Sequence, residues 1–504
     1  MTLSKNKQIK IGALISYASI AFSIISGILY IPWMIEEIGQ SDYGIYTLAN
    51  SIITLLMIDV GLGAATSRFV AKYRAENREH EIPGFLGAVY KIYLLIDALI
   101  FLVLVTVYFF SDLIYVNLTP AELEKFKTVF IITGVYSLIS FPCMTFQGVL
   151  TAYEKFIPLK LADLIQRVGT VLFTVIALLL GMKLYALVAV HAIVGLVAIL
   201  VKFLAVHQST RVAFVKTDPS QYKMILGFSV WSAIYNLAQR LIFHITPTIL
   251  SATVAAATAA IAVFGIIMTI ESYAFNITAV LNGMFLGKIT RLLQGDDDGE
   301  KLTALAIRVG RFQYALNGLI VVGFAFVGQS FIDLWVGADY APAYYGILLV
   351  LLPGLLFNSL QIFNTAIMAE NLVKYQALIQ IAVGICNVIL SVIFSTLWGV
   401  LGASLSIFIA YLLRFLLNAW LIRRKLRVNW GAYVKQCYLK MSLPIVATGL
   451  VFVGLHLVWS IDSWLALVLK ALSIIGIYLI FVWLLGLNKA ERRSALTACG
   501  WRKV

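Results

Sequence analysis

The feature that most restricts this chain is a succession of long apolar runs, each bounded by charged or turn residues, from Ile11 through Leu487. A bilayer core takes about 20 apolar residues to cross as a helix. The runs fall at 11–35, 43–66, 85–110, 129–150, 161–181 and 184–206, then at 225–250, 257–285, 312–332, 344–369, 375–396 and 400–421, and finally at 441–459 and 464–487. The first is too long for the apolar core of a cleavable signal peptide. Of the residues, 61% are hydrophobic and 12% charged, against roughly 45–50% and about 25% in soluble domains. A water-soluble globular enzyme is excluded. The fold class is an all-α polytopic membrane protein of about 14 transmembrane helices.

The net charge of +14 would suggest a nucleic-acid partner in a soluble protein, but its distribution gives it another meaning. Of the 38 lysines and arginines, 30 lie in alternate loops and the termini, and 3 in the intervening loops. Cytoplasmic loops carry this excess, so both termini are expected inside, in agreement with an even number of spans. The four cysteines carry no metal-ligand spacing and no disulfide signal.

The chain also repeats itself. The pattern Q-x3-T-A-x7-K-x3-L-I-Q runs through Gln147, Thr151, Ala152, Lys160, Leu164, Ile165 and Gln166, and again through Gln361, Thr365, Ala366, Lys374, Leu378, Ile379 and Gln380. We read this as a six-helix duplication. An even repeat enters the membrane twice with one orientation, and substrate sites of such parallel repeats lie at the repeat interface. The expected organisation is a lobe at 1–206, a cytoplasmic linker at 207–224, a second lobe at 225–421, an appended helix pair at 441–487 and a cytoplasmic tail at 488–504.

Ionisable residues at the centre of a membrane helix cost about 2.5–3.5 kcal/mol on insertion scales, so each one asks for a reason. In the seventh span Ser232, Asn236, Arg240, His244 and Thr248 recur every four residues and form a slowly winding polar stripe. Arg240 is too deep to snorkel easily. It either lines a cavity that accepts an anion, or is satisfied by an acidic neighbour or by carbonyls between helices. Glu271 shares a side of the eighth span with Thr278 and Asn282, and is a candidate partner of Arg240, an ion site, or both in turn. Lys91 and Asp97 occupy the third span but do not share a face. Lys202 and Arg414 are expected to snorkel, and Lys470 carries no signal. The run from Gly295 to Glu300 reads as a solvated turn.

No P-loop, dinucleotide loop, HExxH or nucleophile elbow is present, so no enzyme activity and no cofactor are expected. Particular residues carry a family likeness instead. Ile38-Gly39-Gln40-Ser41-Asp42-Tyr43-Gly44-Ile45-Tyr46-Thr47-Leu48 resembles the G-x-x-x-Y-G-x-Y-x-L entry to the second helix of polysaccharide repeat-unit flippases. The stretch from Asp59 through Gly61, Gly63, Arg68 and Val70 resembles their D-x-G-x-G-x-x-x-x-R-x-V motif. Asn387-Val388-Ile389-Leu390, followed by Trp398-Gly399-Val400-Leu401-Gly402-Ala403, is similar to their eleventh and twelfth helices.

The resemblance implies the superfamily that also holds multidrug extruders and the peptidoglycan-precursor flippase. It implies two six-helix lobes around a cationic central cavity, alternating access, and a polyprenyl-diphosphate-linked oligosaccharide as cargo in the bacterial inner membrane, with a polysaccharide polymerase as a partner. Arg240, Lys91, Arg68, Asn236 and His244 are then the expected substrate-binding residues, and Glu271, Asp97 and Asp59 the expected sites for coupling H+ or Na+. One departure is that Met284-Phe285-Leu286-Gly287-Lys288 lacks the proline with which relatives often end the eighth helix. Two other functions compete. An ion-coupled multidrug extruder would use Asp97 and Glu271 to attract cationic drugs. A membrane glycan polymerase or glycosyltransferase would need larger outward loops than the longest one here, residues 111–128.

Overall fold

Apolar runs with few interruptions by glycine or proline become helices, because a backbone in lipid must satisfy its own hydrogen bonds. The computed structural model describes residues 5–57, 61–214, 219–279, 289, 292, 298–370, 372–456, 459, 461–488 and 492. All regular structure among them is helical. The principal helices are α1 (Lys5–Ile38), α2 (Gln40–Leu56), α3 (Leu62–Ala75), α4 (Ile82–Phe109), α5 (Pro120–Ser140), α6 (Thr145–Ala152), α7 (Phe156–Leu179), α8 (Leu184–His207) and α9 (Pro219–Phe243). They continue as α10 (Thr246–Thr253), α11 (Ala257–Ala279), α12 (Asp298–Trp335), α13 (Pro342–Asn358), α14 (Gln361–Ala369), α15 (Val373–Lys425), α16 (Lys440–His456) and α17 (Trp464–Phe481).

Among the described residues, nine helices are long and apolar enough to cross a membrane, or up to eleven when each bent pair counts as one span. The chain is a multi-pass membrane protein. The sequence reading of about fourteen spans cuts the same material differently. Its second span, 43–66, falls across α2 and α3, and α3 starts from Gly61 in the left-handed conformation (φ 73°), which glycine adopts without penalty. Its eleventh and twelfth spans lie on α15, a 53-residue segment interrupted at Gly399 (φ 56°, ψ −130°).

Two spans bend at comparable places. The α5–α6 pair turns by 41° around Phe141 and Pro142, and the α13–α14 pair by 49°. Proline at 142 removes a donor from the helical ladder. Each bend precedes one occurrence of the repeated Q-x3-T pattern: Gln147 and Thr151 lie on α6, Gln361 and Thr365 on α14. The hydroxyls of Thr151 and Thr365 donate back to the carbonyls of Gln147 (2.7 Å) and Gln361 (3.4 Å).

The chain forms two compact units, Met1–Gly265 with Gln380–Ala403, and Ile266–Ile379 with Ser404–Val504. Within the first, α1 packs on α7, α7 on α8, α2 on α5, and α3 on both α6 and α4. Lipid offers no hydrophobic drive, so close approach of small residues carries the packing. At Gly44 an added Cβ would collide with the Thr258 carbonyl, and at Gly148 it would stand 2.5 Å from the Gly63 carbonyl oxygen. The second unit has a core of Val322, Phe452 and Ile474, joining α12 to α16 and α17.

Candidate functional site

The glycine pair on α3 and α6 sets the site. Since Gly148 has no side chain, α6 settles against the first turn of α3, and Gly61 lets that turn begin abruptly. Arg74, further along α3, donates to the Ala152 carbonyl at 2.9 Å and lies 4.4 Å above the Tyr153 ring, fixing the far end of α6. Between these clamps opens a cavity of about 430 Å³, lined by Ser67 and Arg68 of α3, Tyr93 of α4, and Gln147 and Thr151 of α6, with Gly63, Ala64, Met144 and Gly148. Tyr93 is fixed by an edge contact with Phe141, ring centroids 5.3 Å apart. The polar lining is one guanidinium, two hydroxyls beside it, a carboxamide and a phenol. Among the described residues no carboxylate lines the cavity. Such a set donates hydrogen bonds and carries positive charge, which suits an anion with several oxygens.

The residues expected from sequence are distributed unevenly. Arg68 lines this cavity, whereas Lys91, Asn236, Arg240 and His244 do not. Lys91 is half-buried on α4. The Arg240 guanidinium donates to the Thr54 carbonyl in the last turn of α2. A helix C-terminus leaves carbonyls unpaired and carries partial negative charge, so this is one of the two roles foreseen for Arg240, satisfaction by carbonyls between helices. Ser232 of the same stripe packs on Gly61. His244 stands at the break between α9 and α10, with its Nδ1 buried and no hydrogen-bond partner among the described residues. Asn236 is half-buried on α9.

Asp97, midway along α4, has a buried Oδ1 that likewise lacks a partner among the described residues. Glu271 of α11 accepts a hydrogen bond from the Tyr411 hydroxyl at 3.3 Å and lies within the field of Arg414. Asp59, Asn282, Lys288, Gly295 and Cys499 fall outside the described residues. Among the described residues there is no group of three or more His, Cys, Asp or Glu placed to hold a metal ion.

Of the two cations expected to snorkel, Lys202 is found in an ion pair and the expectation for Arg414 is corrected. Lys202 pairs with Asp163 at 2.8 Å, across the α7–α8 contact. Arg414 is buried at 3% exposure and stacks 3.8 Å above the Phe357 ring. Lys470, which carried no signal, is buried and donates to the Trp459 carbonyl at 3.1 Å. Sequence reasoning also passed over Glu122. Its carboxylate accepts from Ser41 and Thr258, each at 2.7 Å, and from the Thr119 amide at 2.9 Å, tying the starts of α2, α5 and α11 together. The T-x-x-E spacing of Thr119 and Glu122 is a capping-box signal that marks it.

A family model described as polysaccharide biosynthesis protein matches residues 10–286. No match is found among the curated proteins. Among solved structures, the chain is similar to lipid II flippase MurJ in an inward closed conformation, with TM-score 0.72 and 16% identity, covering 94% of this chain and 98% of that one. It is also similar to an inward-facing multidrug resistance MATE family transporter of the MOP superfamily, with TM-score 0.63, 13% identity and coverage of 83% and 95%. An outward-facing MATE transporter follows, with TM-score 0.54, 14% identity and coverage of 85% and 96%. At these identities the likeness is one of fold.

Proposed function

Because the chain belongs to the polysaccharide biosynthesis protein family, we propose that it moves a polyprenyl-diphosphate-linked oligosaccharide repeat unit from the inner to the outer leaflet by alternating access. The observation that carries this reading is the cationic cavity at Arg68. A planar guanidinium grips phosphate oxygens with two parallel hydrogen bonds. Ser67 adds a hydroxyl, Thr151 adds the lone pairs of a hydroxyl whose proton is held by the Gln147 carbonyl, and the Gln147 carboxamide both donates and accepts, as a first sugar requires. About 430 Å³ lies within the roughly 300–1,000 Å³ typical of small-molecule sites. The diphosphate and its nearest sugar occupy it, while the polyprenyl chain stays in lipid.

In this reading Arg68 is the principal anion-binding group. Lys91, Asn236, Arg240 and His244 are polar residues of the path the cargo follows. Asp97 and Glu271 take up H+ or Na+: each is an acidic group within a membrane helix, and Oδ1 of Asp97 has no protein partner among the described residues. Asp59, in the same motif as Arg68, is a third candidate. The full architecture proposed is about fourteen spans, two parallel six-helix lobes around a central cavity and an appended C-terminal helix pair, in the bacterial inner membrane with both termini cytoplasmic. A surface-polysaccharide polymerase receives the product.

A second reading, an ion-coupled multidrug extruder, draws on the same two acids and on the fold likeness to MATE transporters. The Arg68 cavity, lined by no carboxylate among the described residues, would repel a cationic drug. Deleting the gene separates the two. The flippase reading predicts loss of one surface polysaccharide, with its lipid-linked unit retained on the inner leaflet. Unchanged surface glycan with drug hypersensitivity would contradict it.

A further inference from the structure

The second unit holds a larger hollow, of about 680 Å³, between α12, the start of α16 and the end of α17. Its body is apolar, formed by Val309, Phe312, Leu316, Leu319, Leu479 and Val482. One end is not. Arg308 and Arg311, at the beginning of α12, both line it. Arg311 is buried and donates to the Gly486 carbonyl, which fixes its guanidinium beside the groove. Leu487 closes this end, and Arg492 reaches back to the Leu484 carbonyl at 2.8 Å. Nε of Arg492 is buried and has no hydrogen-bond partner among the described residues. Arg308, Arg311 and Arg492 make a collar of cations, while Lys440, the sequence neighbour of Met441, donates to Asn488. Among the described residues no carboxylate lines the groove.

An apolar trough with cations gathered at one end has the polarity of an anionic lipid. Basic pockets between transmembrane helices bind phosphate-bearing headgroups, each cation near the surface contributing attraction. A neutral lipid would fill the trough but leave the collar unanswered. A free phosphate would answer the collar and leave the trough empty. We infer that this groove binds an anionic diacyl phospholipid of the surrounding bilayer, its phosphodiester between Arg308 and Arg492 and one acyl chain along Phe312, Leu316 and Leu319. The lipid pins the last two helices to α12. It is a site apart from the Arg68 cavity, whose lining residues all belong to the other unit, and it does not rest on the identity of the cargo.

The test uses the purified full chain, equilibrated in neutral detergent with equal amounts of phosphatidylglycerol and phosphatidylethanolamine, with retained lipid counted by native mass spectrometry. Phosphatidylglycerol should be retained preferentially, and rising salt should erode the preference. Removing two cations with Arg308→Gln and Arg492→Gln should weaken its binding about 30-fold. Leu316→Trp, which fills the trough, should expel it with the collar intact. Melting in lipid-free detergent verifies that each variant is folded, and the salt series needs no variant. Equal retention of the two lipids, a preference indifferent to salt, or full retention by the folded double variant would overturn the proposal. So would displacement of phosphatidylglycerol by equimolar polyprenyl diphosphate, which would assign the groove to the cargo.

Discussion

Gly148→Ala is the substitution whose consequence follows most directly from the geometry. The new Cβ would stand 2.5 Å from the Gly63 carbonyl oxygen and 2.9 Å from Cβ of Thr66. Both are closer than any ordinary contact, and neither neighbour is a flexible tip. The helices must separate, and overpacking of this kind costs about 1–3 kcal/mol. The effect on transport should exceed the effect on stability. Gln147 and Thr151 ride on α6 while Ser67 and Arg68 ride on α3, so separation widens the cavity between its two polar walls. A displacement of about 1 Å in a positioned site can cost on the order of 100-fold in rate. Gly323→Ala is the matched control, because nothing lies within 4 Å of its added Cβ. Melting in detergent and lipid-linked glycan flipping in liposomes, measured on both, decide the matter. Wild-type melting and transport by Gly148→Ala would refute the close packing of α3 on α6 and the cavity it shapes.

Other outcomes follow from single contacts. Arg240→Ala removes a charged hydrogen bond to the Thr54 carbonyl and should lower stability by about 1.5–3 kcal/mol, with Arg240→Lys intermediate; a variant that melts normally but no longer transports would place Arg240 on the cargo instead. Glu122→Gln puts an amide where a carboxylate accepts from Ser41 and Thr258, and melting should show a loss of about 1–2 kcal/mol; an unchanged melt would contradict the tie. Cys437 is fully buried and should resist maleimide in intact membranes, whereas Glu79→Cys and Lys183→Cys, both at exposed positions, should label from the cytoplasm and the outside respectively. Labelling of both from one side would contradict the charge-derived topology.

Long uninterrupted apolar runs were legible. The third span expected at 85–110 is α4 at Ile82–Phe109, because nothing within it competes with the helix. The breaks were less so: hydropathy is blind to a left-handed glycine such as Gly61, and the bend at Phe141 and Pro142 lies within a run that stays apolar. At the site, Arg68 was visible through its motif. Gln147 and Thr151 were visible only as part of a repeat, since the cavity they line depends on which helix α6 meets. Periodicity reports a face and never its neighbour. Of the polar stripe, Ser232, Asn236 and Arg240 lie on α9, whereas His244 falls at the break and Thr248 on α10, and the sequence left open whether Arg240 met a carbonyl or a ligand. Arg414 was misread for a related reason, because distance from a span end says nothing of an aromatic ring such as Phe357 waiting beneath it.

Recognition of the cargo's anionic head by Arg68 is the step on which the proposed transport depends. It is tested most directly by reconstituting the full chain in liposomes with a fluorescent polyprenyl-diphosphate glycan and following its exposure to an external glycosidase. Two charged hydrogen bonds at about 1.5 kcal/mol each correspond to a loss of more than 100-fold in Arg68→Gln. Arg68→Lys should keep part of the rate, because the charge persists without the fork, and both variants should melt as the wild type does. Full transport by a normally folded Arg68→Gln protein would contradict the account.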